Sequence, residues 1–317
     1  MKSPSSLLAW GTLLTVLLLW VLTTFVAERT VPTLLLTSFG LPQFWLILTL
    51  PALVVSLRQR RPDAILASVL AVALALSMLG WQGLGWQGPV GTKMGTDEPT
   101  SFRLMTYNIA RGAGGSAALA ATVSAQRPDV VCFQETNTLT PGGLADLEGR
   151  LPGYAAVHSR EVAILTRFPV LAQRDEPLPG TTRRLLSARL NVKGHPVTVM
   201  SVHFTTVLLR GGWEEGRQHR SDQARAVLEG ARQTTGAFLA CGDFNTPPRG
   251  QIYTGLKQTF TNAFEEAGNG FGYTFPSSLP LVRIDHVWLR GMHARRSWVP
   301  SSRASDHRPL VVDLALR

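Results

Sequence analysis

Charge is what this chain has least of, and the gaps are unevenly placed. Only 16% of its 317 residues are Asp, Glu, Lys or Arg. No charge stands between Lys2 and Glu28, between Arg29 and Arg58, or between Asp63 and Lys93. Each gap exceeds the ~20 apolar residues that cross a bilayer, which excludes a wholly soluble chain. Three transmembrane helices are expected, near residues 7–27, 33–57 and 64–84, forming a membrane anchor over 1–87. Pro42 and Pro51 make the second less regular, or partly re-entrant; proline is tolerated in membrane helices. The first run is long for a signal peptide, and Phe25-Val26-Ala27 is a poor small-x-small cleavage site. The missing charge also disfavours a transporter, which needs an ionisable coupling site among its helices.

Cysteine is scarce too. Cys132 and Cys241 both lie in strand-like apolar runs and are expected to be buried free thiols. A disulfide would need an oxidising compartment and a geometry that the sequence does not show. No long Lys/Arg run or basic segment interleaved with aromatics occurs, although the net charge is +10. A basic outer domain can still attract anionic lipid head groups, polyphosphate or nucleic acid. No internal repeat or low-complexity tract stands out.

The few charges near the apolar runs set a direction. Lys2 precedes the first run, Glu28 and Arg29 cancel, and Arg58, Arg60 and Arg61 outweigh Asp63. Positive residues stay in the cytoplasm. The N-terminus is therefore expected inside, and everything past the third span outside, in a multi-pass protein of the plasma membrane. Trp81 and Trp86 fall where interfacial anchors, or ordinary linker residues, would sit. Residues 88–101 read as a short tether, and 102–317 as a catalytic domain large enough for a two-layer core.

Within 102–317 the pattern alternates. Strands are expected at 102–108, 130–133, 162–166, 237–241, 284–289 and 310–316, with a hairpin of 185–192 and 195–203 around Lys193-Gly194. Helices are expected at 116–126 and 217–232. This order predicts α+β with packed sheets, not a doubly wound parallel sheet.

Polar groups gather at the strand ends: Asn108, Glu135, His203, Asp243 with Asn245, and Asp285 with Asp306-His307. Strand ends are where a rigid sheet presents groups to a substrate. An Asp-x-Asn pair on extended backbone places both side chains on one face. An Asp beside a His offers a hard oxygen ligand and a proton carrier. Such a set suits metal-assisted attack of water on a phosphate ester. Singly, Asn108 reads equally as a turn residue, Glu135 as a solvated strand end, and Asp243 with Asn245 as an Asx turn. Jointly, the bland readings are poor.

The strings Thr106-Tyr107-Asn108, Phe133-Gln134-Glu135, Ser201-Val202-His203, Gly242-Asp243-Phe244-Asn245, Arg283-Ile284-Asp285 and Ser305-Asp306-His307, in this order, resemble the endonuclease/exonuclease/phosphatase superfamily. That group includes pancreatic-type deoxyribonucleases, abasic-site endonucleases, bacterial sphingomyelinases and inositol polyphosphate phosphatases. Six strings in order are far more specific than one. The resemblance implies a four-layer α/β-sandwich, two packed central sheets flanked by helices, with the site at one edge. It implies Glu135 as main ligand of Mg²⁺ or Mn²⁺, Asn108 beside it and Asp306 in support. It implies Asp243 to orient or deprotonate water, Asn245 to bond developing phosphoryl charge, and His307 to contact phosphate or move a proton. Asp285 would fix the tautomer of His307, and His203 would contact phosphate or protonate the leaving group.

Arg184, with Arg183, is a weak candidate to grip phosphate against the plainer reading of a solvated basic pair. Trp213 is placed in a long loop after His203, His195 in an exposed hairpin turn, and His286 on the far face of its strand as a structural residue. An outward-facing tethered hydrolase reaches lipid head groups, lipid-linked pyrophosphates, extracellular nucleic acid and soluble phosphate esters. The layout is similar to membrane-anchored superfamily members linked to cell-envelope lipid dephosphorylation. The expected activity is therefore a phosphoesterase on a lipid-linked substrate, with an anchored nuclease as the alternative. A catalytically dead scaffold is disfavoured, because every expected polar position is filled.

Overall fold

The apolar runs and the alternating runs fold separately. The structure, a computed structural model, describes residues 3–40, 42–80, 84–86, 100–138, 141–207 and 212–317. It divides into two units, residues 1–84 with 248–251, and residues 85–247 with 252–317.

The first unit holds helices α1 (Pro4–Val21), α2 (Val31–Phe39), α3 (Pro42–Gln59) and α4 (Pro62–Gly80). Ser3 caps α1 by accepting from the Ser6 N–H, and α1 runs on through a π-helical turn, Leu22–Val26. Pro4–Val26 and Pro62–Leu79, each of mean hydropathy 2.0, are long and apolar enough to cross a membrane. Among the described residues a third span is found only if the bent pair α2 and α3 is counted as one, and that pair bends by 88°. The single second helix expected over 33–57 is thus two. Gly40 ends α2, and Pro42 brings a ring that clashes with a preceding turn and no N–H to continue it. Pro51 is tolerated inside α3. The last helix starts at Pro62 and its described part ends at Gly80. Trp81, the Trp86 side chain and all of the tether but Thr100 and Ser101 lie outside the described residues.

Packing in this unit is inverted relative to a soluble bundle. Ala64, Ala67, Ala71 and Ala75 are fully buried along one face of α4, as is Ala9 of α1. The Ser56 and Ser68 hydroxyls, 3.1 Å apart, join α3 to α4. Leu7, Leu14, Leu18, Ile47, Leu48 and Leu66 are more than half exposed. Small residues inward and large apolar residues outward is how helices pack in lipid, where close backbone approach replaces the hydrophobic drive.

The second unit is a sandwich. A short strand β1 (Gly85–Trp86) pairs with β11 (Asn269–Gly270). One six-stranded sheet runs β13 (Met292–Trp298), β14 (Leu310–Leu316), β2 (Ser101–Asn108), β3 (Val130–Gln134), β5 (Val162–Thr166), β4 (Ala155–His158). The other runs β10 (Thr261–Asn262), β12 (Asp285–Arg290), β9 (Ala237–Asp243), β8 (His195–His203), β7 (Arg184–Val192), β6 (Val170–Pro177). Each sheet is mixed: β2 with β3 and β8 with β9 are parallel. A parallel pair needs a crossover, and α5 (Ser116–Gln126) and α7 (Trp213–Arg232) supply them. The flanks are completed by α6 (Pro141–Gly149), α8 (Gly250–Lys257) and α9 (Ala263–Ala267).

Period-two alternation assigns the faces. Leu104, Val130 and Ile164 meet Leu186, Val199, Leu239 and Val287 between the sheets. Met105, Val131 and Phe133 pack outward with Leu119 and Val123 of α5 and Leu147 of α6. Met200, Val202, Phe238 and Trp288 pack with Val227 of α7 and Leu256 of α8. The result is two packed mixed β-sheets flanked by helices, the α+β layering expected. Trp213 opens α7 and is not a loop residue. Cys132 and Cys241 are not free thiols: they form a disulfide with Cα atoms 6.7 Å apart. Both side chains lie on the facing surfaces of β3 and β9, a juxtaposition invisible without the sheet pairing.

Candidate active site

Strand direction decides where the polar clusters fall. In the parallel pairs Asn108 stands beside Gln134, and His203 beside Asp243. The antiparallel neighbours begin at that same end, with Asp285 beside Asp243 and Leu310 beside Thr106. C-termini of parallel strands and N-termini of their antiparallel partners therefore share one edge. Residues far apart in the chain meet there.

The Asn108 amide Nδ2 donates to Glu135 Oε1 at 3.2 Å and to Asp243 Oδ2 at 3.1 Å. Its Oδ1 accepts from the Ala110 N–H at 3.0 Å. Glu135 follows β3 with φ +61°, a left-handed backbone that non-glycine residues adopt where the surroundings impose it. His203 Nε2 lies 3.8 Å from Glu135 Oε1 and 3.6 Å from Asp243 Oδ2. His307 Nε2 lies 3.7 Å from Asp243 Oδ2. These are close approaches, too long for hydrogen bonds. His307 Nδ1 is within 2.9 Å of Asp285 Oδ2, which fixes the ring. Asn108, His203, Asp243, Asp285 and His307 are buried. Glu135 is 25% exposed and Arg111, 3.4 Å from its Oε2, is 70% exposed, so these two mark the open side.

Electrostatics follow from the geometry. Burial works against a charge on His307, but the carboxylates of Asp285 and Asp243, with Asp306 beyond them, prevail and push its pKa up to about 10. The surrounding carboxylates thus favour the protonated ring. His286 is the opposite case: burial and the nearby Arg283 charge lower it to about 3. Its Nε2 bonds the Thr246 carbonyl at 2.8 Å and its Nδ1 faces the Asn262 amide, a structural role on the far strand face.

Three expectations are corrected. Asp243 and Asn245 do not share a strand face, because β9 ends at Asp243 and Asn245 has φ +47°. Instead the Asn245 N–H donates to Asp243 Oδ1 at 2.8 Å in an Asx turn, and its Nδ2 donates to the Phe204 carbonyl at 3.0 Å. Arg184 is not at the site: it is held on the β6–β7 pair by Asp175 Oδ1 at 3.0 Å and the Asp175 carbonyl at 2.9 Å. Asp306 is exposed and bonded to the Ser305 hydroxyl at 3.3 Å, outside the group formed by Asp243, Asp285 and His307, whose donor atoms all lie within 4.8 Å of one another.

Two residues escape sequence reasoning, Glu161 and Arg220, while Arg183, weighed with Arg184 as a phosphate grip, meets a carboxylate instead. Glu161 Oε2 lies 3.5 Å from His203 Nδ1, with both side chains buried. Arg183 places Nε 3.6 Å from Glu161 Oε2 and donates Nη1 to the carbonyls of His203 and Phe204. Arg220, buried on α7, donates to the carbonyls of Thr205 and Asn245 and to the Thr246 hydroxyl, tying the loop after β8 to the loop after β9. The only sequence signal for Glu161 is an acid immediately before a buried strand, and it has meaning only once β5 is known to pair with the end of β3.

The donor set fits a hard divalent cation: several carboxylates, an amide and few nitrogens. Asp285 Oδ1, Glu161 Oε1 and His203 Nδ1 are buried without a hydrogen-bond partner, which marks the edge as a place built to receive something.

The sequence profile of the Endonuclease/Exonuclease/phosphatase family matches residues 105–307. A UPF0294 protein of Vibrio cholerae serotype O1 is 24% identical over 297 residues, covering 89% of this chain and 96% of that protein. Among solved structures, humanized D. rerio TDP2 is similar with a TM-score of 0.58 and 19% identity, over 68% of this chain and 98% of that one. The mannosyl-6-phosphatase Bt3783 of Bacteroides thetaiotaomicron VPI-5482 has a TM-score of 0.57 and 21% identity, over 68% of this chain and 100% of that one. With the profile spanning most of the sandwich and the same layering recurring in both solved structures, the chain belongs to the endonuclease/exonuclease/phosphatase family of phosphoester hydrolases.

Proposed function

We propose that this chain is a membrane-anchored, divalent-metal-dependent phosphoesterase whose catalytic unit faces outward and hydrolyses a lipid-linked phosphate ester or pyrophosphate. In this reading residues 1–87 anchor, 88–101 tether and 102–317 catalyse. The observation that carries the chemistry is a single buried oxygen, Asp243 Oδ2, placed 3.1 Å from an amide and within 3.7 Å of two imidazoles. The lipid part is supported by the exposed leucine belt of the helices, and the outward orientation by a disulfide that persists in oxidising compartments.

Glu135 and Asn108 are the residues that would hold Mg²⁺ or Mn²⁺. Such an ion supplies charge neutralisation at the phosphoryl oxygens. Asp243 orients the attacking water and takes its proton. His307, held charged by Asp285, donates Nε2–H to a phosphoryl oxygen. Asn245 uses one amide hydrogen on Phe204 and keeps the second for the same charge. His203 protonates the leaving group, and Glu161 Oε2, 3.5 Å from its Nδ1, orients the ring by its charge. Glu161→Gln is expected to lower kcat on the order of 10–100-fold, as loss of an orienting carboxylate does, with KM unchanged in saturation kinetics.

A second reading, an anchored nuclease, has one observation in its favour: D. rerio TDP2 complexed with a single-strand DNA product shares the fold at a TM-score of 0.57. A substrate panel on the full chain in detergent separates the two. Polyprenyl pyrophosphate or phospholipid turnover is expected to exceed plasmid nicking, to vanish with EDTA and to return with Mg²⁺ or Mn²⁺. Brisk DNA cleavage without release of phosphate or head group from lipid would sink the lipid reading.

A further inference from the structure

Apolar exposure in the catalytic unit is concentrated beside the site. Among its described residues the exposed large apolar side chains are Leu171, Phe271 and Leu279, at 55%, 37% and 65%. Two of these lie in the segment 271–282, which turns back on itself through a bridge between Phe275 and Val282 and leads into Asp285.

The base of this hairpin is bolted to the catalytic edge. The Ser277 N–H donates to the Asp306 carbonyl at 2.6 Å, and its hydroxyl to the Ser305 carbonyl at 2.6 Å. The Arg308 N–H donates to the Thr274 carbonyl at 2.7 Å, and Arg308 Nε to the Ser277 carbonyl at 2.9 Å. The Phe275 ring centroid is 4.8 Å from that of His307. A base this well fastened holds the tip, Ser278-Leu279, outward and exposed. A leucine in water at a loop tip costs hydration free energy and repays none of it within the chain. Phe271 stacks on Tyr273 at 4.9 Å and 11°, an aromatic pair of the kind that favours the head-group level of a bilayer. Arg303 is exposed and Arg308 half-buried on the loop to which the hairpin is fastened, and cations there suit anionic lipid. The same chain carries α1 and α4, which are long and apolar enough to cross a bilayer.

We propose that the 271–282 hairpin is a membrane wedge. Leu279 and the Phe271–Tyr273 pair enter the head-group region and bring the His307 edge against a phosphate at the bilayer surface. Bilayer contact stands by itself; its benefit to turnover rests on the lipid-linked reading above.

The test uses the full chain in phosphatidylcholine–phosphatidylglycerol vesicles. Leu279→Cys is labelled with an environment-sensitive fluorophore, and Leu171→Cys is the control. The native cysteines are paired and do not compete for label. Leu171 lies near the Val170–Leu190 end of its strand pair, whereas Leu186 is the residue of β7 beside Ser201, near the site. Quenching by spin-labelled lipid is expected to be at least about twofold at 279 and absent at 171. Equal quenching at both positions, or none at 279, overturns the wedge. In the second arm Leu279→Asp lowers turnover of a lipid phosphate in those vesicles about tenfold and leaves hydrolysis of a soluble chromogenic phosphodiester unchanged. Equal losses on both substrates make the hairpin part of the site wall and overturn the wedge. Quenching at 279 in a protein that turns over no lipid overturns the lipid-substrate reading and leaves the wedge standing.

Discussion

Asp243→Asn is expected to lower kcat on phosphoesters by at least about 10³-fold while shifting Tm by only a few degrees. The substitution keeps shape and removes one charge. Asp243 Oδ2 is the shared contact of the Asn108 amide and of the His203 and His307 rings. An amide there cannot accept a proton from water, and general-base loss alone costs about 10²–10⁴. It also withdraws one of the two carboxylates that face the His307 imidazolium, weakening the donor aimed at phosphate. The stability side is different. Glu135, Asp243 and Asp285 crowd three carboxylates onto one edge, and removing one eases like-charge repulsion about as much as it loses attraction to His307. Rates with a chromogenic phosphodiester and thermal melts of the same preparation check both halves. Glu135→Gln is the companion variant, which in the proposed function acts through the cation instead of the water. Unchanged rates in both variants would detach this edge from the reaction.

The legible parts of this site were those carried by local pattern. Strands such as β5 and β14 follow from short apolar runs, and the helix α5 from an Ala-rich stretch, so their bounds and the polar residues at their ends could be read directly. What local pattern cannot carry is pairing. Glu161 joins the site only because β5 lies antiparallel to β3, and the disulfide forms only because Cys132 and Cys241 face each other across two sheets. Arg183 and Arg184 are adjacent and chemically identical, yet one meets Glu161 and the other Asp175, since Arg184 opens β7 and Arg183 lies in the loop before it. Asn245 sits beside Asp243 for a reason the periodicity argument missed: a side chain–backbone turn replaces the strand. Short elements such as β4 and α6 are below the length at which periodicity is informative, and their identity comes from what they pack against.

Replacing Cys132 and Cys241 together by Ala is expected to lower the Tm of the catalytic unit by about 10–15 °C. The bond closes a sequence separation of 109 residues. For a loop of that size the chain-entropy account gives about 4–5 kcal/mol of stabilisation, and a domain of this size loses about 2–4 °C per kcal/mol. The bond also sits where sliding of the sheets would matter most, since β3 leads to Glu135 and β9 ends at Asp243. The double variant is therefore expected to need more divalent cation for half-maximal rate, in addition to melting earlier. Compartment decides whether the wild type has the bond at all, because cytosolic thiols are kept reduced. Protein taken from cell membranes, unfolded with a maleimide and no reductant, is expected to remain unlabelled at both cysteines and to label at both after reduction. Labelling without reductant would place the catalytic unit in the cytosol. That result would remove the outward-facing lipid reading, leave the phosphoesterase chemistry of the His307 edge untouched, and predict a natural protein as unstable as the Ala variant.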